Sequence, residues 1–217
     1  MKDEVEFAKL FLVRHGETAA KTNDLANGGP LVSGRLDTPL TENGKKSMIE
    51  TGKNYKNIAF DAVFVSPLAR SHDSAQAFLE GAEQSHLIPI VDPDLIEINY
   101  GIHEGMPVTE VAQQKKEYFA AHPQDNNNFD FAFPGQHPIF GSAESFKKGA
   151  LRFKAALTRI AGEYQGKNIL IVSHSGIMRA LQLTGEVENR GVTVGGDVPF
   201  GDMLILKSDG HMLELDQ

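Results

Sequence analysis

Four short aliphatic runs, Leu10 to Val13, Ala62 to Val65, Ile169 to Val172 and Met203 to Leu206, alternate with stretches of helical character. No other feature restricts the fold as much. A strand that is apolar at every position is buried on both faces, so it requires a helical layer on each side of the sheet. Helices are expected over Glu42 to Tyr55, behind the cap-like Thr41, and over Leu68 to Leu79, Ser145 to Tyr164 and Ile177 to Leu183. A weaker strand signal covers Leu87 to Val91. Near the C-terminus, Lys207 to His211 predicts a hairpin turn with Asp209-Gly210 at its tip, returning Met212 to Leu215 as a strand. The expected architecture is a three-layer α/β/α fold with a mainly parallel central sheet and an antiparallel edge strand.

One stretch, Gly101 to Ser142, breaks the rhythm with Pro107, Pro123, Pro134, Pro138 and the polar run Gln124 to Asn128. It reads as a cap-like insertion, at about residues 101–142, within a single domain spanning residues 1–217. A helix is expected from Val108 to Ala121, followed by an irregular loop carrying Phe129, Phe131, Phe133 and Phe140. Those rings would either anchor the loop to the body or bind a ligand.

Charge and composition then exclude several functions. With 21 Lys+Arg against 29 Asp+Glu, a net charge of −8 gives no basic face for nucleic acid, so an anion must meet a local basic site. The absence of cysteine removes disulfides, thiolate metal sites and every thiol nucleophile. Charges within Met1 to Phe7 interrupt what a signal peptide needs as an apolar stretch, and no aliphatic run approaches the ~20 residues of a membrane helix. The expectation is a cytoplasmic protein without a membrane partner.

Chemistry-bearing residues sit where the strands end. Arg14-His15-Gly16-Glu17 directly follows the first run, offering an anion-binding guanidinium, an imidazole and a close backbone approach. Ser173-His174-Ser175-Gly176 follows the third run and opens a helix, whose unpaired amides around Ser175 and Gly176 favour a bound phosphate. In Ser66-Pro67-Leu68-Ala69-Arg70, Ser66 is a candidate N-cap, Pro67 the first helical residue, and Arg70 part of the first turn. Alone, each fits a structural histidine or a solvated arginine equally well. Their conjunction at one sheet edge is what points to phosphate chemistry. Metal-ligand spacing is missing, with His72, His86, His103, His122, His137 and His211 scattered and His103 the one that would line a cleft.

These motifs, in this order, resemble the histidine phosphatase superfamily, which includes cofactor-dependent phosphoglycerate mutases and many small-molecule phosphatases. Arg14 to Thr18 is similar to the family's nucleophile motif. Asp37 to Thr41 with Gly44, Ser66 to Arg70, Leu95 to Glu97 with Gly101 and Glu104-Gly105, Glu144-Ser145, and Val172 to Gly176 follow it. The resemblance implies that His15 attacks phosphorus to form a phosphohistidine that water hydrolyses, with neither metal nor cofactor. Arg14, Arg70 and a charged His174 would hold the phosphoryl oxygens, and His15 would donate its other ring proton to a backbone carbonyl. Glu97 is the implied proton donor, with Glu104 and Glu17 as weaker candidates. Two positions depart from the pattern. Lys21 stands where the family usually has Asn, so either Lys21 or the nearby Asn23 would contact phosphate, and Ser175 replaces a frequent glycine.

The segment that grips the substrate carboxylate in the mutases is not found, because residues 106–140 contain no arginine and only Lys115 and Lys116 as basic side chains besides histidines. A phosphomonoesterase acting on a small-molecule phosphate ester is therefore expected ahead of a mutase. A non-catalytic phosphate-ester or partner-binding module ranks lower, since His15, His174, Arg14 and Arg70 are all intact. Nothing in the sequence indicates an oligomeric state.

Overall fold

The computed structural model describes residues 6–22, 29–123, 143–187 and 198–216. Six strands form one sheet: β1 (Ala8–Arg14), β2 (Ala62–Val65), β3 (Ile90–Val91), β4 (Asn168–Ser173), β5 (Met203–Ser208) and β6 (Leu213–Leu215). Their order is β3-β2-β4-β1-β5-β6, with β1 to β4 parallel neighbours. The antiparallel part is larger than one strand, because β5 pairs antiparallel with β1 and β6 folds back along β5. Gly210, at φ 92°, supplies the left-handed residue of that hairpin, and Asp209 Oδ1 accepts the amides of His211 and Met212.

Alternation along the strands divides the core. Phe11, Val13, Val63, Val65, Leu170 and Val172 face α1 (Glu42–Lys53) and α2 (Ala69–Gly81), where Met48 and Phe78 fill the layer. Leu10, Leu12, Phe64, Ile169 and Ile171 face the opposite way. They pack with Phe146, Phe153 and Leu157 of α4 (Phe146–Glu163) and Ile177 and Leu181 of α5 (Ser175–Leu183). Two hydrophobic faces covered by helices are what the continuous apolar runs demand. Another α-helix, α3 (Val108–Ala121), matches its expected bounds and lies within residues 101–142.

Helix starts follow the capping chemistry at two places and depart from it at a third. Thr41 Oγ1 accepts the Gly44 amide at 2.9 Å, and Ser145 Oγ accepts that of Lys148 at 3.1 Å. By contrast, α2 starts at Ala69 rather than at Pro67, with Leu68 as its N-cap residue. Ser66 does not cap it in the usual way, because its hydroxyl lies 2.7 Å from His174 Nε2, and the Ala69 amide instead donates to Asp37 Oδ2 at 2.9 Å. The strand expected over Leu87 to Val91 shrinks to two residues, with Ile88, Ile90 and Val91 exposed at the sheet edge. The four phenylalanines of the expected loop lie outside the described residues.

Candidate active site

Adjacent parallel strands bring the two histidines together. In the β1–β4 register Arg14 is opposite Ser173, and the His15 amide donates to Ser173 O at 3.0 Å. The next residues, His15 and His174, therefore leave the sheet side by side, with ring centroids 5.1 Å apart and edge-to-face. Gly16 is required just beyond, since a Cβ there would lie 2.7 Å from the Gly44 carbonyl oxygen at the start of α1. From the far side of β4, the β2–α2 connection delivers Arg70, of which only 1% is exposed.

The hydrogen bonds fix atoms as well as positions. His15 Nδ1 lies 2.7 Å from Gly16 O, so it carries the proton and leaves Nε2 with a lone pair. Arg70 Nε donates to that lone pair at 3.3 Å, while its terminal nitrogens donate to Leu36 O at 2.8 Å and Gly34 O at 2.6 Å. Arg14 donates to Val198 O and stacks on Phe200, with Cζ 3.8 Å from the ring centroid. His174 turns Nε2 towards Ser66 Oγ and Ser71 Oγ, at 2.7 and 3.3 Å, which leaves its buried Nδ1 without a partner among the described residues. Burial, and after it the charge of Arg70, pushes both imidazoles well below their ordinary 6.5. Burial and Arg70 thus favour the neutral ring of His174 where no anion is bound, and the charged ring expected beside a phosphate dianion would need that dianion to stabilise it.

Glu97 changes the expected use of the α5 terminus. Its Oε2 accepts the Gly176 amide at 2.9 Å, and its Oε1 accepts those of Ile177 and Ile98 at 2.7 and 2.8 Å. The Gly176 amide is thus committed to a carboxylate rather than offered to phosphate, as the sequence had suggested. Burial raises the Glu97 carboxyl against the opposing pull of these amides. The two weaker acid candidates are structural ties. Glu17 Oε1 accepts the Thr41 hydroxyl at 2.7 Å, and Glu104 Oε1 accepts the Arg35 and Tyr100 amides, each at 3.0 Å.

A cavity of about 350 Å³ opens onto most of these groups but not onto His174, which is fully buried and is not one of its lining residues. Arg14, His15, Arg70, Glu97, Ser175 and Lys21 line it, so Lys21 sits where a phosphate contact was expected of either Lys21 or Asn23. Asn23 lies outside the described residues. His103 is buried beside Gln114, at 3.3 Å, and is not one of the lining residues. Sequence reasoning missed Arg179, which lines the cavity one helical turn after Ser175, an i,i+4 spacing that could have revealed it. Among the described residues no cluster of three or more His, Asp or Glu side chains could hold a metal ion.

Behind Glu97 stands an ion-pair network that sequence reasoning also missed. Glu144 receives Arg35 at 3.1 Å and Arg152 at 2.9 and 3.0 Å. The same arginines donate to the carbonyls of Glu97 and Ile96, at 3.1 and 3.0 Å. Replacing Glu144 with Gln leaves two guanidiniums facing a neutral amide. We expect it to cost about 2 kcal/mol, between the values for exposed and for fully buried pairs because Arg35 and Arg152 are partly solvated. An unchanged denaturant midpoint would show that the network carries no stability.

Fold and site together define an α/β protein with a basic, histidine-bearing pocket at the carboxyl edge of its parallel strands. The profile of the histidine phosphatase superfamily (branch 1) matches residues 10–186, and the chain belongs to that superfamily. Its relatives include a metal-independent phosphoserine phosphatase of Arabidopsis thaliana, 29% identical over 84% of this chain and 71% of the relative. Another is an adenosylcobalamin/alpha-ribazole phosphatase of Salmonella typhimurium, 30% identical over 80% of this chain and 77% of the relative. The crystal structure of a phosphoglycerate mutase from Bacillus anthracis superposes with a TM-score of 0.80 at 23% identity, covering 98% of this chain and 92% of that one, a likeness of fold.

Proposed function

We propose that the protein is a phosphomonoesterase that hydrolyses small phosphorylated metabolites through a phosphohistidine on His15. The observation that carries this reading is the lone pair of His15 Nε2, fixed by the Nδ1 bond to Gly16 O and kept unprotonated by burial and two arginines. Relatives named as phosphatases support hydrolysis as the outcome. Cysteine-free composition supports the accompanying inference of a cytoplasmic setting. No helix among the described residues is long and apolar enough to cross a membrane.

In this reading the phosphoryl group enters between His15 Nε2 and Arg70. The 3.3 Å contact of Arg70 Nε is long for a hydrogen bond and is readily exchanged for a phosphoryl oxygen. Arg14 and Lys21 line the cavity and supply further positive charge, Ser175 lines it with them, and the buried Nδ1 of His174, without a partner among the described residues, would be a further donor. They act where charge sits in a phosphoryl transition state, so positioning and electrostatics carry the catalysis. Glu97 gives the leaving oxygen its proton. Oε1 is saturated by two amides whereas Oε2 accepts one, which makes Oε2 the proton-bearing atom. α3 supplies Val108, Val111, Ala112 and Lys115 to one wall of this cavity, in keeping with a cap-like role for the segment.

The test uses leaving-group dependence. Glu97→Gln should reduce hydrolysis of alkyl phosphates by about 10²-fold or more while sparing a good aryl leaving group, which needs no acid. Equal loss on both would remove Glu97 from the acid role. Efficient interconversion of 3- and 2-phosphoglycerate in the presence of a bisphosphate, with scarcely any hydrolysis of esters, would replace the phosphatase reading with a mutase.

A further inference from the structure

We propose that Arg35 is a positioning residue, which ties the proton donor Glu97 to the turn that holds Arg70 and so fixes the acid relative to the bound phosphate. The inference rests on the phosphatase reading above and names a residue on which its acid step depends. Arg35 does not line the cavity, and its side chain is 35% exposed, so it acts through its partners. Its backbone belongs to the turn whose carbonyls, Gly34 O and Leu36 O, accept the terminal nitrogens of Arg70 at 2.6 and 2.8 Å. Its side chain reaches the other way, with Nε donating to Glu97 O at 3.1 Å. One residue thus spans the phosphate-holding arginine and the acid. Glu104 repeats the link, since its Oε1 accepts the amides of both Arg35 and Tyr100, and a Cβ on Gly34 would lie only 2.3 Å from that oxygen.

Glu97 needs such a tie because residues 96–100 belong to no helix or strand, and their carbonyls must find partners elsewhere. Three of them go to one cluster. Ile96 O accepts Arg152 at 3.0 Å, Glu97 O accepts Arg35, and Asn99 O accepts the Glu144 amide at 2.7 Å. Glu144 unites the three, because its carboxylate also receives both guanidiniums. Arg152 anchors the cluster to α4, and Arg35 is the member that connects it to Arg70. A bare cation this close would also draw the proton from the acid. Glu144 offsets that by pairing with Arg35, and the charges that pull the Glu97 carboxyl down most are those of Arg70 and Arg179. The clamp therefore holds the carboxyl in place and leaves burial to raise it. Placement matters at this scale, since a shift of about 1 Å in a reacting group can cost on the order of 10²-fold in rate.

Glycerol 3-phosphate, whose alkoxide needs a proton as it leaves, and p-nitrophenyl phosphate, whose leaving group does not, separate positioning from stability. Reading kcat/KM confines the comparison to formation of the phosphoenzyme. With the folded fraction matched by circular dichroism, Arg35→Met should lose about tenfold or more on glycerol 3-phosphate and no more than about twofold on p-nitrophenyl phosphate. The alkaline limb of the glycerol 3-phosphate profile should move to lower pH, because an untethered Glu97 gains solvent and loses part of the burial that raises it. Arg35→Lys, which keeps the charge without the planar fork, should recover part of the loss. In a Glu97→Gln background, Arg35→Met should cost no more than about twofold further on glycerol 3-phosphate, since no acid is left to position. An equal loss on both esters, an unmoved alkaline limb, or a full further loss in the Glu97→Gln background overturns the inference and leaves the phosphatase reading intact. Failure of the wild type to hydrolyse either ester, with no phosphoenzyme formed, overturns that reading itself.

Discussion

Replacement of His15 by Asn is expected to lower turnover of every phosphate ester by at least about 10⁴-fold, leaving only what the arginines achieve by binding and orientation. Asparagine keeps a polar group near Gly16 O but has no basic lone pair at the position of Nε2, so displacement at phosphorus cannot begin. Wild-type protein mixed briefly with a ³²P-labelled ester and quenched in alkali should carry label that acid removes, and His15→Asn should carry none. Label on another residue, or turnover by the variant above about one part in a hundred, would remove His15 from the nucleophile role. The pH profile gives an independent check. Because burial, Arg70 and Arg14 all lower the imidazole, His15 stays unprotonated and competent below 6.5. An acid limb near 6 should therefore follow the second ionisation of the ester and shift with its leaving group, as a histidine limb would not.

Much of this arrangement is legible in the sequence because buried parallel strands leave unbroken aliphatic runs. The residue after such a run lies at the carboxyl edge of the sheet, which located Arg14, His15 and His174 without coordinates. Local pattern was less reliable where a side chain serves a distant partner. Ser66 has the composition of an N-cap, yet its hydroxyl is engaged by His174, which is 108 residues away. Gly176 opens a helix and so resembles an anion site, yet its amide is given to Glu97 from a segment 79 residues earlier. Glu144 and Arg35 pair across 109 residues, and no periodicity encodes that. Arg179 differs from these, because its i,i+4 relation to Ser175 was present in the sequence and required only that the helix be read beyond its first turn.

Acidification should destabilise the fold more steeply than its surface carboxylates would suggest. His15 and His174 are both held well below 6.5 by burial and by Arg70. Under 6.5 the unfolded chain therefore binds two protons that the folded chain refuses, and stability present at neutral pH is lost as pH falls. Each histidine can contribute at most about 1.4 kcal/mol per pH unit well below 6.5, so the pair should remove on the order of 3 kcal/mol at most between pH 7.5 and 5.5. Glu97 acts oppositely. Its folded-state value is raised above the ordinary 4.5, so between those two values it takes up a proton on folding and offsets part of the loss. Lys115, at about 8, titrates above this window. Urea midpoints for wild type and His15→Asn across pH 5.5 to 7.5 separate the contributions, because the variant lacks one of the two histidines and keeps Glu97. Its curve should be flatter by at most about 1.4 kcal/mol per unit below pH 6. Parallel curves would mean that His15 titrates alike in the folded and unfolded chains, and the neutral, buried nucleophile would be lost with that result.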